Sequence, residues 1–221
     1  MARHREEPKA PMTFKTPDGK DLDFRYTNNW FNQYHREEWE KLFLPIRDNI
    51  KHYLEIGVCE GSSMLWVMTQ LKPESAVGID PWAPRKSRRD RKKFEEQAKL
   101  THDNAFHNLK YWLDERVITL IQEESIDALM DSDLNQELPE DHFDLIYVDG
   151  DHEALPALTD MVLAWRKLAL GGIMILDDYN RRWLHGKPKS KEAIDAFLMA
   201  TESRYHFVYR GNRQQIIKRI K

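Results

Sequence analysis

DLIYVDGDHEALPALTDMVLAWRKLALGGIMILDDY, residues 144–179, contains two apolar runs that each stop on carboxylates. Leu145-Ile146-Tyr147-Val148 ends at Asp149-Gly150-Asp151-His152, and Ile173-Met174-Ile175-Leu176 ends at Asp177-Asp178. Between them lie a helical pattern with Pro156 in its first turn, where proline is tolerated, and the pair Gly171-Gly172. Leu158, Val162, Trp165 and Ala169 are the expected inner face of that helix. Two buried strands joined by a helix run parallel, so both carboxyl ends emerge on one rim of the sheet. Ligands of open α/β sheets bind at that rim, so these acids and His152 mark a candidate site.

Upstream, His52-Tyr53-Leu54-Glu55-Ile56 reads as a strand running into Gly57-Val58-Cys59-Glu60-Gly61-Ser62-Ser63 and then a helix closed by Pro73. Glycines let backbone approach a ligand, and the first helical turn offers unpaired N–H groups. The loop matches neither G-x-G-x-x-G nor a P-loop, which needs Gly-Lys-Ser/Thr. The next strand, Ala76 to Ile79, ends on Asp80, placed to accept hydrogen bonds from ribose hydroxyls. Trp82 either covers an adenosine or packs on a neighbouring helix. A long helix is expected over about 88–113, with Phe94, Ala98, Phe106, Leu109 and Leu113 inward. Val117 to Ile121 is a third strand, and residues 206–218 read as a closing hairpin. The pattern predicts an α/β fold: a doubly wound, Rossmann-like sheet of about seven strands, an antiparallel C-terminal hairpin and helices on both faces.

Composition narrows the class. The 221 residues are 41% hydrophobic and 32% charged, with a net charge of −3 that gives no general reason to expect nucleic acid or anionic membrane. One cysteine, Cys59, excludes an internal disulfide and fits a reducing, cytoplasmic setting. No apolar run is long enough for a membrane span. Residues 1–49 read as an N-terminal arm and lid helix ahead of a domain at 50–221, with a loose arm over 1–23 and a helix at about 30–49. Tyr26, Trp30 and Phe31 either anchor that helix or lie over a ligand. Seven of the nine residues from Arg85 to Lys93 are basic, a solvated helix face or a surface for an acidic partner.

Over about residues 50–220 the chain resembles class I S-adenosylmethionine-dependent methyltransferases, through Glu55-Ile-Gly57-Val-Cys59-Glu-Gly61-Ser62-Ser63, Gly78-Ile-Asp80 and Leu170-Gly-Gly172. Cys59 stands where many members have glycine, which implies a slightly different loop. The resemblance implies that Gly57 to Ser63 pass under the methionine part of the cofactor, that Asp80 holds its ribose, and that Glu124 and Ser125 edge the adenine.

VDGDHE with ILDDY further resembles the metal-dependent small-molecule O-methyltransferases, of the catechol and caffeoyl-CoA type and the bacterial sugar and macrolide group. That likeness implies Mg²⁺ on Asp149, Asp177 and Asp178, and all-oxygen donors suit such a hard cation. It places His152 where the catechol-type enzymes carry a lysine base, with His185 as a rival. Strand-end acids also cap helices, and a helix-start histidine also bonds to backbone, so both structural readings stand beside these. The expected partner is a small hydroxyl acceptor, with a homo-oligomer open. The alternatives are a metal-independent N- or RNA methyltransferase and a non-catalytic S-adenosylmethionine-binding protein.

Overall fold

The computed structural model describes residues 14–83, 91–180 and 189–221. Five strands lie parallel: β1 (His52–Ile56), β2 (Ser75–Ile79), β3 (Ile118–Ile121), β4 (Phe143–Val148) and β5 (Leu168–Leu176). The hairpin β6 (Tyr205–Arg210) and β7 (Gln215–Arg219) adds to β5 through the antiparallel β7. The order is β3-β2-β1-β4-β5-β7-β6. Strand order reverses between β1 and β4, which is where a crevice opens in a doubly wound sheet. The helices are α1 (Trp30–Tyr34), α2 (Arg36–Phe43), α3 (Ser62–Trp66), α4 (Arg91–Asp114), α5 (Ser125–Met130), α6 (Ala154–Lys167) and α7 (Lys189–Ala200). The fold class read from the sequence is the one observed.

The two sheet faces bury separate cores. Tyr53, Tyr147 and Ile175 point to one face, where Phe31, Trp39, Phe43 and Trp66 cover them. Leu54, Ile56, Val148 and Leu176 point to the other, under Met161, Trp165, Ile194 and Phe197. These strands are nearly all apolar because helices cover both faces of a parallel sheet.

Four local expectations need correction. The inward face of α6 is Ala157, Asp160, Met161, Ala164 and Trp165, whereas Val162 is exposed and Ala169 belongs to β5. The buried stripe of α4 is Asn104, Ala105, Asn108, Leu109 and Trp112, so of the five expected positions only Leu109 is fully buried. In both helices a buried polar residue displaces the apolar stripe that hydropathy alone picks out. From residue 14 onward the N-terminal segment is not loose: Phe14 is buried, and a turn closes with Thr16 N–H donating to Lys20 C=O at 2.8 Å. The helical stretch ahead of β1 is divided at His35 and finishes as a 3₁₀ helix over Leu44–Asn49.

Candidate active site

The rim is built by the last hydrogen bonds of the parallel ladder. Gly57 N–H donates to Ile79 C=O at 2.9 Å, Asp80 N–H to Ile121 C=O at 3.1 Å, Asp149 N–H to Ile56 C=O at 2.9 Å and Asp177 N–H to Val148 C=O at 3.2 Å. Each residue is the first beyond its strand, so the backbone ladder itself brings Gly57, Asp80, Asp149 and Asp177 to one edge. Asp178 follows in the left-handed region at φ 60, a conformation aspartate tolerates better than most residues.

On the β1–β2 side, the loop alternates left-handed residues: Gly57 (φ 92), Cys59 (φ 51) and Gly61 (φ 80). The glycine common at position 59 in the resembling family thus has a conformational reason, and Cys59 occupies that conformation with a side chain. Asp80 ties the loop down, its Oδ2 accepting from Cys59 N–H at 2.8 Å and its Oδ1 from Trp82 N–H at 2.7 Å. Each carboxylate oxygen has two lone pairs, so both retain acceptor capacity for ribose hydroxyls. Burial raises the Asp80 carboxyl above its ordinary value, opposed by the two amides. The Trp82 indole donates to Cys59 C=O at 2.8 Å and its ring packs on His102 and Phe106 of α4, with 6% exposure. Glu55 is fully buried beneath, accepting from Ser63 Oγ and, at 2.8 Å, from Tyr53 Oη. Burial pushes its carboxyl up to about 8. Ser62 and Ser63 open α3 after Gly61.

Glu124 is exposed beyond β3, and Ser125 donates to Asp160 Oδ1 at 2.6 Å rather than standing apart. Asp160 is buried on α6, burial pushes its carboxyl up to about 6, and its Oδ2 has no partner among the described residues.

On the β4–β5 side, Asp149, His152 and Asp178 each offer a ligand atom within 4.8 Å of one another. His152 Nδ1 lies 3.2 Å from Asp178 Oδ2. Asp177 is linked to Asp149 through the Tyr147 hydroxyl and takes part in an adjoining network. Its Oδ2 accepts from Tyr147 Oη at 2.6 Å and lies 3.5 Å from His35 Nε2, while its buried Oδ1 has no partner among the described residues. Tyr147 also lies 3.0 Å from Asp149 Oδ2. Burial and the two aspartates push the Tyr147 phenol well above its ordinary value, which keeps it a donor. Asp149, His152, Asp177, Met161, Ser190 and Ile194 line one cleft at this rim. The carboxylates of Asp149 and Asp178, with Asp177 Oδ1 lacking a partner among the described residues, are oxygen donors that fit a divalent cation, and His152 stands beside them as a titratable group. His185 and Arg85 to Asp90 lie outside the described residues; Lys92 and Lys93 are exposed on α4.

The sequence reading missed how the N-terminal segment reaches this site. Glu60, 2% exposed inside the glycine loop, accepts from Thr27 N–H at 2.8 Å, Thr27 Oγ1 at 2.9 Å, Asn28 Nδ2 at 3.2 Å and Asn104 Nδ2 at 3.1 Å. Asn108 clasps Arg25 through both backbone groups, at 2.9 Å and 2.8 Å. Phe31 is buried at this junction, whereas Trp30 is 52% exposed. The signal available was Glu60 itself, an acid inside a loop whose other residues are small or apolar.

Residues 54–179, more than half of the chain, match the family described as "Methyltransferase domain". An uncharacterised protein of Acanthamoeba polyphaga mimivirus is 28% identical over 132 residues, covering 59% of this chain and 53% of that one, so the chain matches about half of that relative's length. Among solved structures, the O-methyltransferase NovP superposes with a TM-score of 0.59 at 15% identity over 84% of this chain and 80% of that one. The methyltransferase MycE of the mycinamycin pathway, in complex with Mg, S-adenosylhomocysteine and mycinamycin VI, gives 0.55 at 16% identity over 89% and 51%. An S-adenosylhomocysteine-bound methyltransferase from Podospora anserina gives 0.54 at 16% over 87% and 85%.

The fold is that of the Rossmann-like methyltransferases. Within that class, the chain belongs to the methyltransferase-domain family matched over residues 54–179. Among the described residues, no helix is long and apolar enough to cross a membrane.

Proposed function

We propose that this chain methylates a hydroxyl of a small molecule with the aid of a divalent cation, Mg²⁺. The observation that carries this reading is the meeting of Asp149, His152 and Asp178 within 4.8 Å, on the same rim as the Asp80 loop. Bound there, S-adenosylmethionine supplies an electrophilic methyl on a sulfonium, and the cation supplies Lewis acidity. The chain's own residues divide the remaining work. Asp80 accepts from the ribose, and Gly57 to Ser63, with Glu55 behind them, hold the amino-acid end. Trp82 backs the loop, and Glu124 and Ser125 border the base. Asp149 and Asp178 would hold the cation, with Asp177 Oδ1, which has no partner among the described residues, as a further oxygen donor.

His152 takes the acceptor's proton. Asp178 beside Nδ1 favours the tautomer protonated there, which makes Nε2 the basic nitrogen. The methyl would come from the cofactor's sulfonium, which would keep the carbon–sulfur electron pair, and the acceptor's proton would go to Nε2 of His152. Support for the O-directed, Mg-assisted form comes from the fold shared with an O-methyltransferase and with a methyltransferase structure that holds Mg and mycinamycin VI.

Calorimetric titration of S-adenosylhomocysteine with and without Mg²⁺, beside turnover on a panel of hydroxyl acceptors, tests the proposal. Chelation with EDTA should abolish turnover and leave cofactor affinity nearly intact, and Asp149→Asn should do the same. Full turnover in chelator sinks the metal.

A further inference from the structure

We propose that His35 is a positioning residue of the acceptor half of the site, acting through Asp177, and that the N-terminal segment carrying it is set in place by Glu60 of the cofactor loop. This rests on the metal-assisted reading above.

Phe31, His35, Trp39 and Phe43 recur every four residues and form one buried face. Trp39 packs edge-on against Tyr147, with ring centroids 5.0 Å apart, and the same face brings His35 Nε2 to 3.5 Å from Asp177 Oδ2. A histidine in an aromatic stripe is usually a packing residue, but this one meets a carboxylate at the ligand rim. Tyr147 and His35 both address Oδ2, which leaves Oδ1 as the atom of Asp177 without a partner among the described residues. Polar groups that hold one oxygen of a carboxylate orient the other toward a cation and strengthen its binding.

The segment is fixed at its other end by the cofactor loop, where Glu60 receives Thr27 and Asn28. The donor loop and the acceptor carboxylates are therefore held by one stretch of chain, from Thr27 to His35.

The test is Mn²⁺ binding, read from loss of the free-ion electron paramagnetic resonance signal, on wild type, His35→Ala and His35→Gln. S-adenosylhomocysteine titration of each protein reports the donor half. His35→Ala should weaken Mn²⁺ by roughly tenfold or more, the range seen when outer partners of ligands are removed. His35→Gln, whose amide can still donate to Asp177, should restore most of that affinity, and both variants should keep cofactor affinity. Unchanged Mn²⁺ affinity in both variants overturns the role of His35 and leaves the metal standing. Parallel loss of Mn²⁺ and cofactor affinity makes His35 a packing residue and also overturns the proposal. A wild-type protein that binds no Mn²⁺ removes the metal reading and this proposal with it.

Discussion

Tyr147 donates its hydroxyl to Oδ2 of Asp177 at 2.6 Å from the adjacent strand. The register explains the meeting: Tyr147 pairs with Ile175, and Asp177 lies two residues further on, so both side chains point to the same face. Asp149, two residues beyond Tyr147 on its own strand, shares that face and lies 3.0 Å from the same hydroxyl. One phenolic proton thus serves two carboxylates, and only one of them can hold it at a time.

Tyr147→Phe removes that proton without changing the packing against Trp39. Asp177 then keeps His35 Nε2 at 3.5 Å but loses the hydroxyl that donates to its Oδ2, while its Oδ1 already has no partner among the described residues. The expected loss is about 1–3 kcal/mol of unfolding free energy, the usual penalty for stranding a buried acceptor. Urea denaturation at neutral pH measures it, and an unchanged midpoint would mean that the hydroxyl bears no weight in the fold.

This network also marks the boundary of what the sequence makes legible. The strands could be read because β1, β2, β4 and β5 are short, mainly apolar runs that stop on glycine or acid, with Glu55 and Asp144 as their acidic interruptions. The rim acids followed, since parallel strands must end together. Asp177 and Asp178 look equivalent in sequence, but a one-residue step reverses the face in a strand, and the left-handed backbone at Asp178 turns it toward His152. The pairing of His152 with Asp149 and Asp178, and of Asp177 with Tyr147, therefore needed three-dimensional register. Asn104, Asn108 and Asp160 escaped notice for another reason: they are polar residues on buried helix faces, where an apolar period cannot find them. His35 met Asp177 only through tertiary packing of a segment that carries no strand or glycine signal.

Glu55 predicts a pH dependence of folding. Its ordinary carboxyl value is 4.5, and burial raises it to about 8 in the folded chain. Below 4.5 both states hold the proton, so the group adds no slope. Between about 4.5 and 8 the unfolded chain releases the proton and the folded chain keeps it, so stability falls as pH rises. The limiting slope for one such group is about 1.4 kcal/mol per pH unit. Above 8 the folded carboxyl ionises too and the slope disappears. Glu55→Gln has no proton to exchange, and the other titrating groups largely cancel between the two proteins. Urea titrations from pH 5 to pH 8 should therefore show the stability of wild type relative to the variant declining steadily. A constant difference across that range would mean that Glu55 is ionised in the folded protein at all these pH values.

Gly57 and Gly19 give a matched pair for the geometry of the rim. Both lie in the left-handed region, at φ 92 and φ 86. A Cβ on Gly19 would meet nothing within 4 Å, so Gly19→Ala carries only the backbone strain, about 1–2 kcal/mol. A Cβ on Gly57 would lie 2.0 Å from the backbone oxygen of Asp149, a separation no rearrangement of side chains relieves. Gly57→Ala must push β4 away from β1 at the point where Asp149 N–H donates to Ile56 C=O. The expected loss is on the order of 4 kcal/mol or more, in the range reserved for a broken buried constraint. Parallel urea titrations compare the two variants directly. Because the displaced residue is a rim carboxylate, any folded Gly57→Ala should also bind Mn²⁺ less tightly than Gly19→Ala does. Equal midpoints and equal Mn²⁺ affinities for the pair would show that the close approach of β1 and β4 is not what sets the position of Asp149.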